Sequence, residues 1–183
     1  MKIKNYEKFH SQLDLPFLET EEQFLKEIFK ILEFKFNLKS NSNQKLIDLG
    51  SGNGSVIIFS ALYYGIKSYG VEINPLLVKE VKRRIKSLKK TRILKKEQLK
   101  NIKNELGDFY QKNLKKFDFI YIFTLPSMQK YLNHIFLTAK KGAIIISHNY
   151  KLKNFNSYLK YEYWLEHKKD TQNYSTYFYK KFS

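Results

Sequence analysis

The sequence contains no cysteine, which excludes disulfide bridges, thiolate nucleophiles and cysteine-ligated zinc sites. Glycine and proline are scarce, with 7 and 3 residues, and no internal repeat or low-complexity linker divides the chain. Apolar runs such as residues 56–59 and 143–146 are far too short to cross a bilayer. No apolar stretch follows the basic N-terminal residues 1–5, so we expect no signal peptide. These absences favour a cytoplasmic protein without membrane contact.

The composition is sufficient for one globular domain. Hydrophobic residues make up 43% and aromatic residues 16% of the 183 residues, enough for one full hydrophobic core. A chain of this length is too short for two ordinary domains, and no shift in composition marks a boundary. We therefore predict a single domain that acts as a monomer.

Acidic residues are half as numerous as basic ones. Lysine and arginine total 34 against 17 acidic residues, which gives a formal net charge of +17. Twelve of the basic residues lie between positions 79 and 103, where only Glu80 and Glu97 are acidic. Such a field attracts polyanions, so nucleic acid is one possible partner. A lysine-rich helix face that is only solvated has the same pattern, and the charge leaves both interpretations open.

Short apolar runs alternate with helical stretches, a pattern typical of an α/β fold with a mostly parallel sheet. A first helix is expected to start at Thr20, whose side chain would cap it while Gln23 closes a capping box. After residue 158, apolar and polar residues alternate with a period of two, which predicts an antiparallel hairpin at one edge of the sheet. The parallel strands are predicted at residues 45–49, 68–73, 101–106, 117–123 and 142–147.

A glycine-rich loop follows the first predicted strand. Its glycines, Gly50, Gly52 and Gly54, stand at alternate positions behind the acidic Asp48. Glycine lets the backbone turn sharply and approach a ligand without interference from a side chain. Parallel sheets bind ligands at the carboxyl ends of their strands, and the following helix points the positive end of its dipole at that edge. The loop therefore predicts a site for a ligand that carries a carboxylate or a phosphate.

Glu72 stands at the end of the second predicted strand, 22 residues after Gly50. A carboxylate in this place can accept hydrogen bonds from both hydroxyls of a ribose. NAD and S-adenosylmethionine both contain such a ribose, so the form of the loop has to decide between them. The dinucleotide pattern is G-x-G-x-x-G, whereas the glycines here run G-x-G-x-G. A phosphate-binding G-x-x-x-x-G-K-[ST] motif is absent, which excludes a P-loop nucleotidase.

A third element, Gly107-Asp108-Phe109, follows the third predicted strand. Asp108 would accept a hydrogen bond from an adenine amino group, and Phe109 would pack on the ring or donate its backbone N–H. A helix cap or a turn is the alternative role for Asp108. The glycine loop, the segment EINP at residues 72–75 and this third element together resemble the motifs of class I S-adenosylmethionine-dependent methyltransferases.

Three shorter segments resemble a narrower family. They are PFLET at residues 16–20, LPS at 125–127 and SHNY at 147–150. They are similar to segments of the archaeal broad-specificity protein-lysine methyltransferases and of the mitochondrial lysine methyltransferases that act on ATP synthase and the adenine nucleotide translocase. The resemblance covers about residues 15–152 and the terminal hairpin.

The resemblance implies a Rossmann-like class I methyltransferase fold, with a seven-stranded, mostly parallel sheet and a C-terminal antiparallel hairpin. Within the single domain, residues 1–40 would form an N-terminal helical cover, 41–150 the cofactor-binding core and 151–183 the hairpin. S-adenosylmethionine is the implied cofactor, and no metal is expected. One departure is Asn53-Gly54-Ser55, where the family usually has Asp-Gly-Arg, so a charge near the cofactor is lost.

The resemblance also implies two sets of site residues. Those expected to bind the cofactor are Phe17, Thr20, Asp48, Gly50, Ser51, Gly52, Asn53, Glu72, Ile73, Asp108 and Phe109. Those expected to line the acceptor pocket, at strand ends that face the transferred methyl group, are Leu125, Pro126, His148, Asn149 and Tyr150. No residue is assigned as a dedicated base. For His148, a hydrogen bond to a neighbouring loop is the alternative to that role.

Protein-lysine N-methylation is the function that the resemblance implies, with a protein lysine as the partner. Enzymes that methylate an exocyclic nitrogen of adenine carry [DN]-P-P-[YF] where this chain has TLPS at residues 124–127, which counts against that reaction. Two alternatives stay open. One is an RNA methyltransferase, favoured by the net charge and by the aromatic C-terminal segment, which could stack bases. The other is a non-catalytic module that binds the cofactor or RNA with the same fold.

Overall fold

The computed structural model describes residues 19–91 and 96–183. Phe17, one of the residues expected to bind the cofactor, lies outside the described residues. Within them, helices and loops cover both faces of one seven-stranded sheet.

The sheet is mostly parallel. Its strands are β1 (Lys45–Leu49), β2 (Lys67–Glu72), β3 (Ile102–Leu106), β4 (Phe119–Ile122), β5 (Ile144–His148), β6 (Leu159–Lys169) and β7 (Gln172–Lys181). They are arranged in the order β3-β2-β1-β4-β5-β7-β6, with β7 antiparallel to both β5 and β6. The predicted fold, including the terminal antiparallel hairpin, is confirmed. The strand order reverses between β1 and β4, and an open α/β sheet binds its ligands in the crevice outside the strand ends at such a point.

The helices are α1 (Glu22–Phe36), α2 (Ser55–Phe59), α3 (Pro75–Lys90), α4 (Lys96–Lys100) and α5 (Asn133–Leu137). Helix α2 runs on into a π-helical turn, Ser60–Tyr64, and short 3-10 turns occupy Phe109–Gln111 and Pro126–Tyr131. Helix α3 begins with Pro75 in its first turn, where the missing N–H costs nothing, and the Asn74 side chain caps it by accepting from Leu76 N at 2.9 Å. No helix in the described parts of the chain has the length and apolar character needed to cross a membrane.

Two apolar clusters form the core, one on each face of the sheet. Successive strand residues point to opposite faces, so in β4 Phe119 and Tyr121 join the cluster under α1, α2 and α3, while Ile120 and Ile122 join the other. The same alternation in β5 places His148 on the α1 face, where its ring meets Phe24 of α1. Polar side chains at this end of the sheet therefore lie directly beneath α1.

The capping box predicted for the first helix is wrong. Helix α1 begins at Glu22, and Glu21 takes the N-cap position without a side-chain hydrogen bond. Thr20 is instead buried, and its hydroxyl lies 2.7 Å from the Tyr121 hydroxyl in β4. A buried hydroxyl needs a hydrogen-bond partner, and for Thr20 the sheet supplies it.

The hairpin is long and tightly connected. Strands β6 and β7 pair from their outer ends to the residues beside a two-residue turn, with one bulge between Tyr161 and Tyr163. Asp170 in the turn has a φ of +50°, a left-handed conformation that aspartate tolerates better than most residues. Because β7 pairs with β5 along its length, the hairpin extends the parallel sheet rather than standing apart from it.

Candidate active site

The glycine loop turns at the carboxyl end of β1, as predicted. Gly50 N and Ser51 N both donate to the Val71 carbonyl of β2, at 2.9 and 3.0 Å, which ties the loop to the neighbouring strand. Gly50 has a φ of +91°, and a Cβ added there would lie 3.8 Å from the Phe109 ring. Glycine at this position therefore allows the turn and keeps the space between the loop and Phe109 open.

The far end of the loop packs closely against α3. A Cβ on Gly54 would lie 2.9 Å from a methyl carbon of Val81, closer than real Cβ atoms approach a neighbour. Ser51 is buried, and its hydroxyl donates to Asn104 Oδ1 of β3 at 2.7 Å. The loop is thus fixed by contacts with β2, β3 and α3.

Glu72 lies at the end of β2, beside the loop. It is 7% exposed, and each of its carboxylate oxygens accepts one backbone N–H, from Gly52 and from Asn74, both at 2.8 Å. A carboxylate oxygen can accept two hydrogen bonds, so each oxygen keeps a lone pair for a further donor. Ile73, the next residue, is half-buried at the same strand end. The carboxylate is therefore held rigidly while it retains the capacity to bind a pair of hydroxyls.

Asp48 is a second buried carboxyl group, one residue before the end of β1. Its side chain makes no hydrogen bond within the described ranges, although it is only 3% exposed. Burial, and then the negative charge of Glu72, raise the pKa of Asp48 well above its ordinary value. Within residues 19–91 and 96–183 no positive side chain pairs with this carboxyl group, and a positively charged group of a ligand would neutralise it.

The third predicted element lies at the end of β3. Asp108 caps the short 3-10 turn that follows, since its Oδ1 accepts from Tyr110 N at 2.9 Å, which is the alternative role named for it. Phe109 and Tyr110 lie with their ring centroids 4.4 Å apart at the open side of the glycine loop. Burial raises the pKa of Tyr110 to about 12, so its hydroxyl stays neutral. An aromatic wall therefore faces the loop across the crevice.

Arg84 was not predicted as a site residue. It compensates for the charge that is lost where this chain has Asn53-Gly54-Ser55 in place of the Asp-Gly-Arg that is usual in the family. From α3 its guanidinium donates to the Asn53 carbonyl at 2.8 Å and to Ser55 Oγ at 3.1 Å. Ser55 Oγ in turn donates to Glu19 at 2.6 Å. Burial alone would raise the pKa of Glu19, but the hydrogen bonds from Ser55 and Asn53 and the charge of Arg84 lower it below its ordinary value. A positive charge thus returns to the loop from another helix.

The predicted acceptor residues lie at the ends of β4 and β5. Leu125 precedes the 3-10 turn that begins with Pro126, and Leu125 is half-buried whereas Pro126 is exposed. Asn149 has a φ of +66°, and its N–H donates to the Ser175 carbonyl at 2.6 Å. The ring of Tyr150 lies 6.4 Å from that of Phe123. The two strand ends therefore present a partly apolar rim beside the predicted cofactor-binding elements.

His148 lies deeper than the other acceptor residues and is 1% exposed. Its Nδ1 lies 2.8 Å from Thr176 Oγ1, so its partner is a strand of the hairpin rather than a neighbouring loop. Its ring packs edge-on against Phe123, with the centroids 4.9 Å apart. Burial, and then the neighbouring His167, lower the pKa of His148 to about 3. The imidazole is therefore neutral at physiological pH.

Comparison with known proteins identifies the family. The model of the ANTKMT methyltransferase domain matches residues 48–158, more than half of the chain. This segment contains the glycine loop, Glu72, Asp108 and the acceptor residues. A search of curated protein sequences gave no significant match.

Solved structures with a similar fold include an RNA methyltransferase from Salinibacter ruber in complex with S-adenosylhomocysteine, which is 21% identical with a TM-score of 0.69 over 90% of this chain and 94% of that chain. MtNAS in complex with MTA and tNA is 14% identical, with a TM-score of 0.66 over 86% and 60% of the two chains. TrmK of M. capricolum in complex with S-adenosylhomocysteine is 15% identical, with a TM-score of 0.60 over 89% and 70%. At these identities the likeness is one of fold.

The match covers the segment from which the motifs predicted a class I methyltransferase, and that resemblance is confirmed. The chain therefore belongs to the ANTKMT methyltransferase domain family and is a class I S-adenosylmethionine-dependent methyltransferase.

Proposed function

We propose that this methyltransferase transfers a methyl group from S-adenosylmethionine to the ε-amino group of a lysine in a protein substrate. The observation that carries the proposal is the match of residues 48–158 to the ANTKMT methyltransferase domain, since the lysine methyltransferases named above include enzymes that act on the adenine nucleotide translocase. The short segments at residues 125–127 and 147–150, which resemble the same enzymes, lie together at the ends of β4 and β5.

The residues at the ends of β1, β2 and β3 fit the cofactor. We assign its ribose to Glu72, whose two oxygens each keep one free lone pair. Asp48, a buried carboxyl group with no positive partner in the described parts of the chain, suits the ammonium group of the methionine portion. Ile73 and Phe109 would enclose the adenine, with Asp108 at its edge. The loop atoms assigned to the methionine portion are those of Gly50, Ser51, Gly52 and Asn53. Phe17 and Thr20, from the N-terminal segment, would cover the cofactor.

The cofactor supplies an already activated methyl group on a sulfonium, so the main task of the protein is alignment. The attacking nitrogen has to be neutral, and the reference pKa of lysine is about 10.4. A partly apolar rim favours the neutral amine, because removal from water penalises the ammonium form. Leu125, Pro126 and Tyr150 supply such a rim and would exclude water from the amine.

The proposal is tested by incubating the protein with methyl-labelled S-adenosylmethionine and a cell lysate. Label should appear in protein, disappear when the lysate lysines are acetylated beforehand, and persist after ribonuclease treatment. Tyr150→Ala should lower the rate while the affinity for S-adenosylhomocysteine, measured by calorimetry, stays within about twofold. Label that ribonuclease removes, and that lysine acetylation leaves in place, would overturn the proposal.

RNA methylation is the second candidate function. Two observations favour it: the net charge of +17, and the similarity of fold to RNA methyltransferases such as the Salinibacter ruber protein. Lys82, Arg83 and Lys86 are exposed on α3, where they form a basic surface. If that surface captures RNA, binding should weaken with salt, with a slope of log K against log salt of roughly −0.7 per phosphate contact.

A further inference from the structure

A continuous line of hydrogen bonds leads from the end of β5 to the surface of α1. The Thr176 hydroxyl in β7 lies 2.8 Å from His148 Nδ1 and 2.8 Å from His167 Nε2 of β6. His167 Nδ1 lies 2.5 Å from Glu27 Oε2 of α1. The two histidines and Thr176 are buried, whereas the Glu27 side chain is 37% exposed. The line therefore joins the interior beside the acceptor residues to the solvent.

The carboxylate at one end fixes the position of every hydrogen along the line. A carboxylate can only accept, so His167 donates from Nδ1, and with a single hydrogen on its ring it accepts at Nε2. Thr176 then donates its hydroxyl hydrogen to His167 and accepts from His148 Nδ1. A neutral His148 with its hydrogen on Nδ1 has a free lone pair on Nε2. Glu27 thus determines the tautomer of a histidine that it does not touch.

His148 Nε2 makes no hydrogen bond within residues 19–91 and 96–183. Phe123, whose ring packs against that of His148, is half-buried at the end of β4. The free lone pair on His148 Nε2 therefore belongs to a ring that packs against Phe123, directly behind the partly apolar rim at the ends of β4 and β5.

We propose that Glu27, His167 and Thr176 are positioning residues that hold His148 Nε2 as a hydrogen-bond acceptor for an N–H group of the substrate amine. This inference rests on the proposed function. Such a bond turns the nitrogen lone pair toward the methyl carbon. That lone pair forms the new N–C bond, the electrons of the C–S bond pass to sulfur, and the product ammonium releases its proton to water.

The surroundings of His148 suit this role better than that of a base. Burial lowers its pKa to about 3, so the ring stays neutral and remains an acceptor throughout the reaction. An imidazolium would instead carry a hydrogen on both nitrogens and could no longer accept. Two other ionisable side chains lie against the ring: His167, with the ring centroids 5.7 Å apart, and Tyr121, stacked at 6.2 Å. Burial raises the pKa of Tyr121 well above the ordinary value. The group facing the amine is therefore an uncharged acceptor.

The hydrogen-bond line can be tested without a substrate by long-range ¹H–¹⁵N NMR of the imidazole nitrogens in the labelled protein. The spectrum of His148→Gln identifies the His148 signals. In the wild type, His148 should carry its hydrogen on Nδ1. Glu27→Lys replaces an acceptor by a donor and should move that hydrogen to Nε2, whereas Glu27→Gln, whose amide oxygen still accepts, should not. Glu33→Lys is the matched control, since Glu33 is exposed on the same helix.

The second experiment measures initial rates of lysine labelling in lysate protein at saturating S-adenosylmethionine. Glu27→Lys and Thr176→Val should lower the rate about tenfold, the effect of losing one orienting hydrogen bond of about 1.4 kcal/mol. Thr176→Ser, Glu27→Gln and Glu33→Lys should stay within about twofold, and cofactor affinity should not change in any of them.

Two results would overturn the proposal: a His148 hydrogen on Nε2 in the wild type, or a Glu27→Lys protein that methylates lysine at the wild-type rate. If the wild-type protein labels RNA instead of lysine, the proposed function fails, and the NMR measurement still decides whether Glu27 controls the tautomer. The two failures are therefore distinguishable.

Discussion

The two halves of the strand-end crevice are built in different ways. In the cofactor half, at the ends of β1, β2 and β3, polar groups are held by backbone atoms, as when Gly52 and Asn74 donate to Glu72. In the acceptor half, at the ends of β4 and β5, His148 depends on side chains from three other elements, and the bond from His167 to Glu27 spans 140 positions. Glu72 is thus held by backbone groups within 20 positions of it, whereas His148 is held by side chains that reach it only when distant elements pack together.

Acid should therefore destabilise the protein through the acceptor half. The pKa of His148 is lowered to about 3 in the folded protein, against about 6.5 in an unfolded chain. Below pH 6.5 the imidazole of His148 is protonated in the unfolded chain but stays neutral in the folded protein. The free energy of unfolding therefore falls by up to about 1.4 kcal/mol per pH unit, or about 4 kcal/mol by pH 3. Urea unfolding of the wild type and of His148→Gln from pH 7 to pH 4 measures this difference. Parallel pH curves for the two proteins would contradict it.

Removing the central carboxylate should disable the cofactor half without disturbing the acceptor half. Glu72→Ala should weaken binding of S-adenosylmethionine by about 1.5–3 kcal/mol, the range for hydrogen bonds to a charged group. Calorimetry measures the loss, and NMR of His148 should show an unchanged tautomer. Glu72→Gln, which retains an acceptor oxygen, should lose less. Unchanged affinity in Glu72→Ala would refute the assignment of the ribose.

Asp48→Asn should separate stability from binding within the cofactor half. Burial raises the pKa of Asp48, so between the unfolded value of about 3.9 and the raised value the folded protein holds a proton that the unfolded chain has lost. The resulting stabilisation is present at low pH and is lost as the pH rises through the raised pKa. At pH 7 the variant should be more stable by about 1–2 kcal/mol, because it avoids a buried, unpaired charge. It should also bind the cofactor more weakly.

The advantage in stability should vanish below pH 3.9, where the carboxyl group is protonated in both states. Thermal unfolding at pH 7 and pH 3.5 measures the difference in stability, and calorimetry measures the affinity for the cofactor. Asp170→Asn, in the exposed turn of the hairpin, is the matched control and should change neither property. A loss of stability at pH 7 in Asp48→Asn would show that the carboxylate has a positive partner in the free protein.

The smallest effect is expected on the basic surface of α3, which lies outside both halves. Replacing Lys82, Arg83 and Lys86 together by Glu should reduce kcat/KM for lysine methylation by less than about tenfold, or 1.4 kcal/mol, because a lysine substrate is itself positive. The measurement is the initial rate with lysate protein at low substrate concentration. A loss of all activity in the triple variant would assign the surface to an anionic substrate and favour the RNA function.

The contrast between the two halves also explains what could be predicted from the sequence. The strands and the residues at Asp48, Gly50 and Glu72 follow from apolar periodicity and from motifs within short segments. Arg84 could not be singled out, because it is one of twelve basic residues within 25 positions and only the packing of α3 brings it to the loop. The hydrogen bond between Thr20 and Tyr121 was missed for the same reason, since the two residues are 101 positions apart.

The order of the strands has a consequence for biosynthesis. Strand β7 lies between β5 and β6, although it follows both in the chain, so β5 has an open edge until residues 172–181 have left the ribosome. At about 5–20 residues per second this interval lasts a few seconds. During it, the apolar edge Ile144–His148 can pair with any exposed strand, including one from another nascent chain. Slow translation between His148 and Gln172 would lengthen that exposure, and chaperones that shield open strands would matter most at this stage.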